Sequence, residues 1–119
     1  MAKHNDTGRL GEQAAAAYLQ KQGFEVLHQN RRIKGGCEVD IIAKRNGLLH
    51  FVEVKTRSSA AYGHPEEAVD TRRQGALRKA ATIFLEDVTE IQPVQFDIVA
   101  VLLDGPVVRE LLYLEDCFS

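Results

Sequence analysis

Asp40, Glu53 and Lys55 are the residues of this chain whose types and spacing best suit chemistry. Glu38-Val39-Asp40-Ile41-Ile42-Ala43-Lys44-Arg45 runs into Asn46-Gly47, and Leu48-Leu49-His50-Phe51-Val52-Glu53-Val54-Lys55 runs out of it. Asn-Gly between two β-rich runs is the strongest short-range hairpin signal, because both turn residues must accept φ > 0. A two-residue loop there sets Asp40 opposite Glu53 and Glu38 opposite Lys55. Strand side chains alternate faces, so these four project from one side, with Val39, Ile41, Val52 and Val54 on the other. Ile42 and Phe51 also share the acidic side, which predicts that this face is partly covered.

Two carboxylates directly across a sheet lie about 4.5–5.5 Å apart at Cβ, and like charges so placed are destabilising. At an effective dielectric near 20, two unit charges ~5 Å apart cost roughly 3 kcal/mol. A divalent cation between them reverses the sign. Mg²⁺ in particular is held by one or two carboxylates with waters and substrate phosphates. Lys55, two residues beyond Glu53, can then meet the charge that develops on a phosphate under attack. This is a layout for cleaving phosphodiesters. The plainer alternative is a solvated strand face on which Glu38 and Lys55 form an ordinary cross-strand ion pair worth under ~1 kcal/mol.

Asp40 followed by Glu53-Val54-Lys55 resembles the bipartite motif of the PD-(D/E)XK nuclease superfamily. More closely, nearly the whole chain resembles the YraN family of small bacterial proteins with a nuclease-like fold. The resemblance rests on Gly11-Glu12, Ala15, Tyr18-Leu19, Asn30 and Arg32, on Glu38-Val39-Asp40-Ile41-Ile42, and on Phe51-Val52-Glu53-Val54-Lys55-Thr56-Arg57. Gly63-His64-Pro65, Phe96-Asp97 and Asp116-Cys117-Phe118 extend it. Cys37 departs from it, standing where the family has glycine. The resemblance implies a metal-dependent endonuclease acting on DNA, branched or otherwise structured, with Mg²⁺ or Mn²⁺ as cofactor. Asp40 and Glu53 would hold the metal, with the backbone carbonyl of Val54 a third ligand. Lys55 would orient the attacking water or stabilise the developing charge. Glu12 is the next candidate, because related nucleases place a first-helix glutamate at the metal. Glu38 would support this set, chiefly by pairing with Lys55.

At 119 residues, 45% of them hydrophobic and 27% charged, the chain reads as one globular domain and not as a disordered one. No apolar run approaches the ~20 residues of a membrane span, and the start lacks the apolar core of a signal peptide. Cys37 and Cys117 make neither a disulfide framework nor a zinc site, and the cytoplasm is the expected compartment. The net charge of −2 says little. Its distribution says more: residues 1–85 hold 14 Lys/Arg and 9 Asp/Glu, whereas residues 86–119 hold 1 and 8. Such asymmetry hints at a face for a polyanion, although long cationic side chains also simply solvate helices.

The elements that must position these groups follow from pattern. A first helix is expected from about Thr7 to Gln22, with Gly23 in a left-handed cap and Leu10, Ala14, Ala17 and Tyr18 as its apolar stripe. Glu12 lies off that stripe. A strand follows from Phe24 to about Gln29, then the cationic stretch Arg31-Arg32-Ile33-Lys34. The hairpin spans 38–57, and a second helix starts near Asp70 or Thr71 and ends near Asp87. Its core side is Leu77, Ala80, Ala81 and Phe84, leaving Arg72, Arg78 and Lys79 exposed. Phe96 to Leu102 is apolar enough for a strand covered on both faces, and a last strand runs around Val107 to Leu114. The expected fold is α/β, a restriction-endonuclease-like mixed sheet in the order α-β-β-β-α-β-β with helices packed against it. The second helix links strands three and four as a crossover, which makes them parallel.

Arg32, Arg57 and Gln74 are further candidate phosphate or water contacts, and Arg72 and Lys79 are the helix cations expected to face DNA. His4, His28, His50 and His64 show no metal-ligand spacing, and Ser58 and Ser59 lack the partners of a nucleophilic triad. Against the enzyme stands a nucleic-acid-binding protein of the same fold without cleavage activity. An intact Asp40, Glu53 and Lys55 favours the enzyme, whereas the small size favours a binder or an obligate homodimer.

Overall fold

The computed structural model describes residues 6–58, 69–88 and 92–119. His4, Ser59, Gly63, His64 and Pro65 lie outside them. The elements are α1 (Asp6–Lys21), β1 (Glu25–Arg32), β2 (Glu38–Arg45), β3 (Leu48–Arg57), α2 (Thr71–Glu86), β4 (Val94–Asp104) and β5 (Val107–Phe118). One five-stranded sheet has the spatial order β1-β2-β3-β4-β5. Only β3 and β4 run parallel, joined through α2 as a crossover requires; the other neighbours are antiparallel. The α-β-β-β-α-β-β order and the mixed sheet are those expected from the sequence pattern.

The two helices lie on opposite faces of the sheet. Ala15, Ala16 and Leu19 of α1 pack on Ile41, Ala43, Val52, Val99 and Val101. Leu77, Ala80 and Ala81 of α2 pack on Ile42, Phe51, Phe96 and Ile98. Alternate strand positions feed separate cores, except that Val39, expected on the side of Ile41, joins the α2-side core beside Ile42. The α1 stripe differs from expectation by about one residue: Gly11, Ala15, Ala16 and Leu19 are buried, while Ala17 is exposed. Ala14 to Ala17 are identical, so composition there cannot tell which way the helix faces. Close approach decides instead. A methyl group on Gly11 would collide with Thr56 Oγ1 of β3, and the same rotation brings Glu12 to a half-buried position beside the sheet.

β1 runs on through Arg31 and Arg32, which pair with Val39 and Glu38. Cationic side chains do not end an edge strand, since its backbone is satisfied by β2 while those side chains stay in water. Asn30 has φ of 52°. β5 likewise continues to Phe118, four residues past the expected end, with a register shift before its last pairs.

That extension is held by Asp97, which is 1% exposed. His50 Nδ1 donates to its Oδ2 at 2.6 Å, and Tyr113 Oη donates to the same oxygen at 2.6 Å. Gln95 Nε2 and the Asp116 N–H donate to Oδ1, each at 2.9 Å. Asp116 is left-handed, φ 54°, which turns its N–H inward. Burial by itself would raise the Asp97 pKa, but the donors, His50 foremost, more than offset it and hold the carboxyl below its ordinary value. Burial and the bond to Asp97 push the Tyr113 phenol up.

Candidate active site

Asn46 and Gly47 both have positive φ, 54° and 74°, as a type I′ hairpin turn demands. The β2–β3 register runs from Arg45 opposite Leu48 to Ile41 opposite Val52, as expected. At the next position the ladder gives way. The Val54 N–H donates to Asp40 Oδ2 at 2.8 Å. Asp40 and Glu53 therefore stand where the two strands begin to part, Glu53 on the face that α2 covers.

Asp40 is half-buried and is pushed up to about 7. Burial is the main cause, the Glu53 charge the second; the Val54 bond opposes them, Glu12 adds to them and Arg73 weakly relieves them. Glu53 is 4% exposed. Arg73 grips it with a fork, Nε to Oε2 at 2.9 Å and Nη2 to Oε1 at 2.8 Å. The same Nη2 donates to the Glu38 carbonyl at 2.9 Å, so Arg73 ties β2 to β3 at the point where their ladder ends. Lys55 Nζ lies 3.7 Å from Glu53 Oε2. The bond to Glu53 raises the Arg73 pKa beyond its already high value.

Asp40, Glu53, Val54 and Lys55 are thus together, the Glu38 backbone joins them through Arg73, and the Glu12 charge reaches Asp40 from α1. Arg32 is exposed at the end of β1, Arg57 half-buried at the end of β3, and Arg72 and Lys79 exposed on α2. Gln74 turns away from the carboxylates, its Nε2 donating to the Val69 carbonyl at 3.1 Å. Arg73 has no place in the sequence-based set, although a signal exists. It lies four residues before Leu77, on the inward stripe of α2, where a cation requires a buried partner. Asp70 caps that helix by accepting the Arg73 N–H at 2.9 Å.

Among the described residues no three His, Cys, Asp or Glu side chains converge as a ready metal site. The donor set still suits a hard divalent cation. Asp40 and Glu53 lie close enough for their charges to interact, no side-chain cation bonds to Asp40 among the described residues, and Mg²⁺ needs no more than one or two such ligands. Asn30, level with Asp40 between its register neighbours, adds a buried Oδ1 with no hydrogen-bond partner among the described residues.

The profile of the "Uncharacterised protein family UPF0102" matches residues 11–101. Proteins named UPF0102 protein are similar over most of their length. That of Natranaerobius thermophilus is 41% identical, covering 93% of this chain and 95% of the relative. That of Bacteroides thetaiotaomicron is 43% identical, covering 86% and 84%. That of Trichlorobacter lovleyi is 50% identical, covering 82% and 79%.

Proposed function

The chain belongs to the uncharacterised protein family UPF0102, and we propose that it is a metal-dependent endonuclease acting on DNA, including branched or structured DNA. The observation that carries this reading is the meeting of Asp40 and Glu53 at the parting strands, with Asp40 raised to about 7 by burial and by the Glu53 charge. Asp40, Glu53 and the Val54 carbonyl would hold Mg²⁺ or Mn²⁺, which supplies Lewis-acid neutralisation of the scissile phosphate and an activated water. Lys55 holds the attacking water or meets the charge on the phosphate oxygens. Glu12, brought to the sheet by Gly11, adds negative charge on the far side of Asp40. Exposed Arg72 and Lys79 lie on the helix that covers the carboxylate face, and Arg32 and Arg57 sit at strand ends. These cations would carry the backbone phosphates.

A cleavage assay with Mg²⁺ and Mn²⁺ across duplex, flap and junction DNA tests the reading. Asp40→Asn should lose cleavage and metal binding together, and Lys55→Ala should keep the metal and lose the rate. Asp40→Asn binding Mn²⁺ like the parent would make Asp40 a structural residue.

A second reading, a nucleic-acid-binding protein without cleavage, is favoured by the Arg73 fork on Glu53. Both readings require DNA affinity that falls with salt, with a log–log slope of roughly −0.9 per phosphate contact. Replacing Arg72 and Lys79 together should flatten that slope. A homodimer would widen the binding surface of so small a chain. Edge strand β5 offers exposed Val107, Val108 and Leu112 for it, and sedimentation velocity reads the outcome.

A further inference from the structure

Glu53 does not stand as an open ligand. Both its oxygens are engaged by Arg73, at 2.9 and 2.8 Å, and Oε2 also has Lys55 3.7 Å away. Among the described residues Asp40 accepts one hydrogen bond, from the Val54 N–H. Among the described residues, then, side-chain cations contact Glu53 directly, whereas Asp40 feels the Arg73 charge only weakly. The Arg73 backbone is fixed by the Asp70 cap and by buried Leu77 one turn on. Its side chain is not locked in the same way: it is 28% exposed, so the guanidinium has a path toward water.

Resting on the nuclease reading above, we propose that Arg73 is a displaceable counter-ion. A divalent cation binds between Asp40 and Glu53 only by taking at least one Glu53 oxygen from the fork, so α2 sets the metal affinity of the site. The physical reason is a competition of charges. A guanidinium shared with the same carboxylate repels an incoming divalent cation and weakens Glu53 as a donor. Without Arg73, the metal-free protein keeps two interacting carboxylates with less compensation, and a cation relieves more. A fork that merely positions Glu53 for the metal has the opposite consequence, because its loss would weaken binding.

Calorimetric titration of the full chain with Mn²⁺, for the parent, Arg73→Met and Arg73→Lys, separates these. Arg73→Met should bind Mn²⁺ at least tenfold more tightly than the parent. It should melt lower in EDTA and gain more Tm from Mn²⁺. Arg73→Lys keeps the charge but loses the fork, and should bind severalfold more tightly than the parent; it decides the matter alone if Arg73→Met does not fold. Equal or weaker affinity in the variants overturns the counter-ion while leaving the metal site standing. Absence of Mn²⁺ binding in the parent and both variants overturns the metal reading itself, and the counter-ion with it.

Discussion

Among the described residues Asp97 accepts four hydrogen bonds in the β3–β5 half of the sheet, whereas Asp40, two strands away, accepts one. Both carboxylates are withdrawn from water, and burial pushes both toward the neutral form. At Asp97 the donors from His50, Tyr113, Gln95 and Asp116 outweigh burial and the acid is lowered. At Asp40 burial, then the charge of another carboxylate, outweigh the single donor, and the acid is raised to about 7. A fold that can satisfy one buried aspartate so fully leaves the other short where two strands part. Unsatisfied charge of this kind is tolerated at functional sites and removed elsewhere.

The contrast breaks if the two aspartates respond alike to mutation. The largest effect should come from Asp97→Ala, which strands His50 and the Tyr113 hydroxyl in the core. A loss of about 3–5 kcal/mol in urea unfolding is expected, as for breaking a buried charged pair. Tyr113→Phe removes one donor to a charged acceptor and should cost about 1.5–3 kcal/mol in the same measurement.

Melts against pH sharpen the contrast through its sign. The folded value of Asp40 lies above its unfolded one, so its contribution is full below the ordinary carboxylate range and is lost as pH rises through about 7. In EDTA the parent should lose on the order of 1 to 2 kcal/mol over that rise, and Asp40→Asn should flatten it. The folded value of Asp97 lies below its unfolded one, so its contribution is present at neutral pH and is lost only as acid titrates it. The smallest effect is on stability at neutral pH. Asp40→Asn should stay within about 1 kcal/mol of the parent, since an amide oxygen can still accept from Val54 while the repulsion with Glu53 is gone.

The hairpin was legible in the sequence because Asn46-Gly47 is a local signal, and local turn chemistry sets register over its neighbours. The α1 facing was not legible, since Ala14 to Ala17 carry no direction and the deciding contact, Gly11 on Thr56, spans two elements. The Asp97 cluster is hidden for the same reason: His50 and Tyr113 lie 47 and 16 residues from it along the chain. Only the pairing of β3, β4 and β5 assembles them. Arg73 is an intermediate case. Helical phase points it inward, but the identity of its partner needs the α2 crossover to be folded first.

The two-residue turn also makes the distance from residue 40 to residue 53 a matter of parity. Side chains change face with every residue. One codon inserted between these positions must either loop out at the tip or carry Glu53 and Lys55 to the α1 side while Asp40 stays behind. Substitutions at Asn46 and Gly47 alter how readily the hairpin closes and leave that parity intact. Descent can therefore rewrite the letters of this segment far more freely than its length, and an indel that shifts the pairing there should part Glu53 from Asp40, whereas one absorbed at the tip should not.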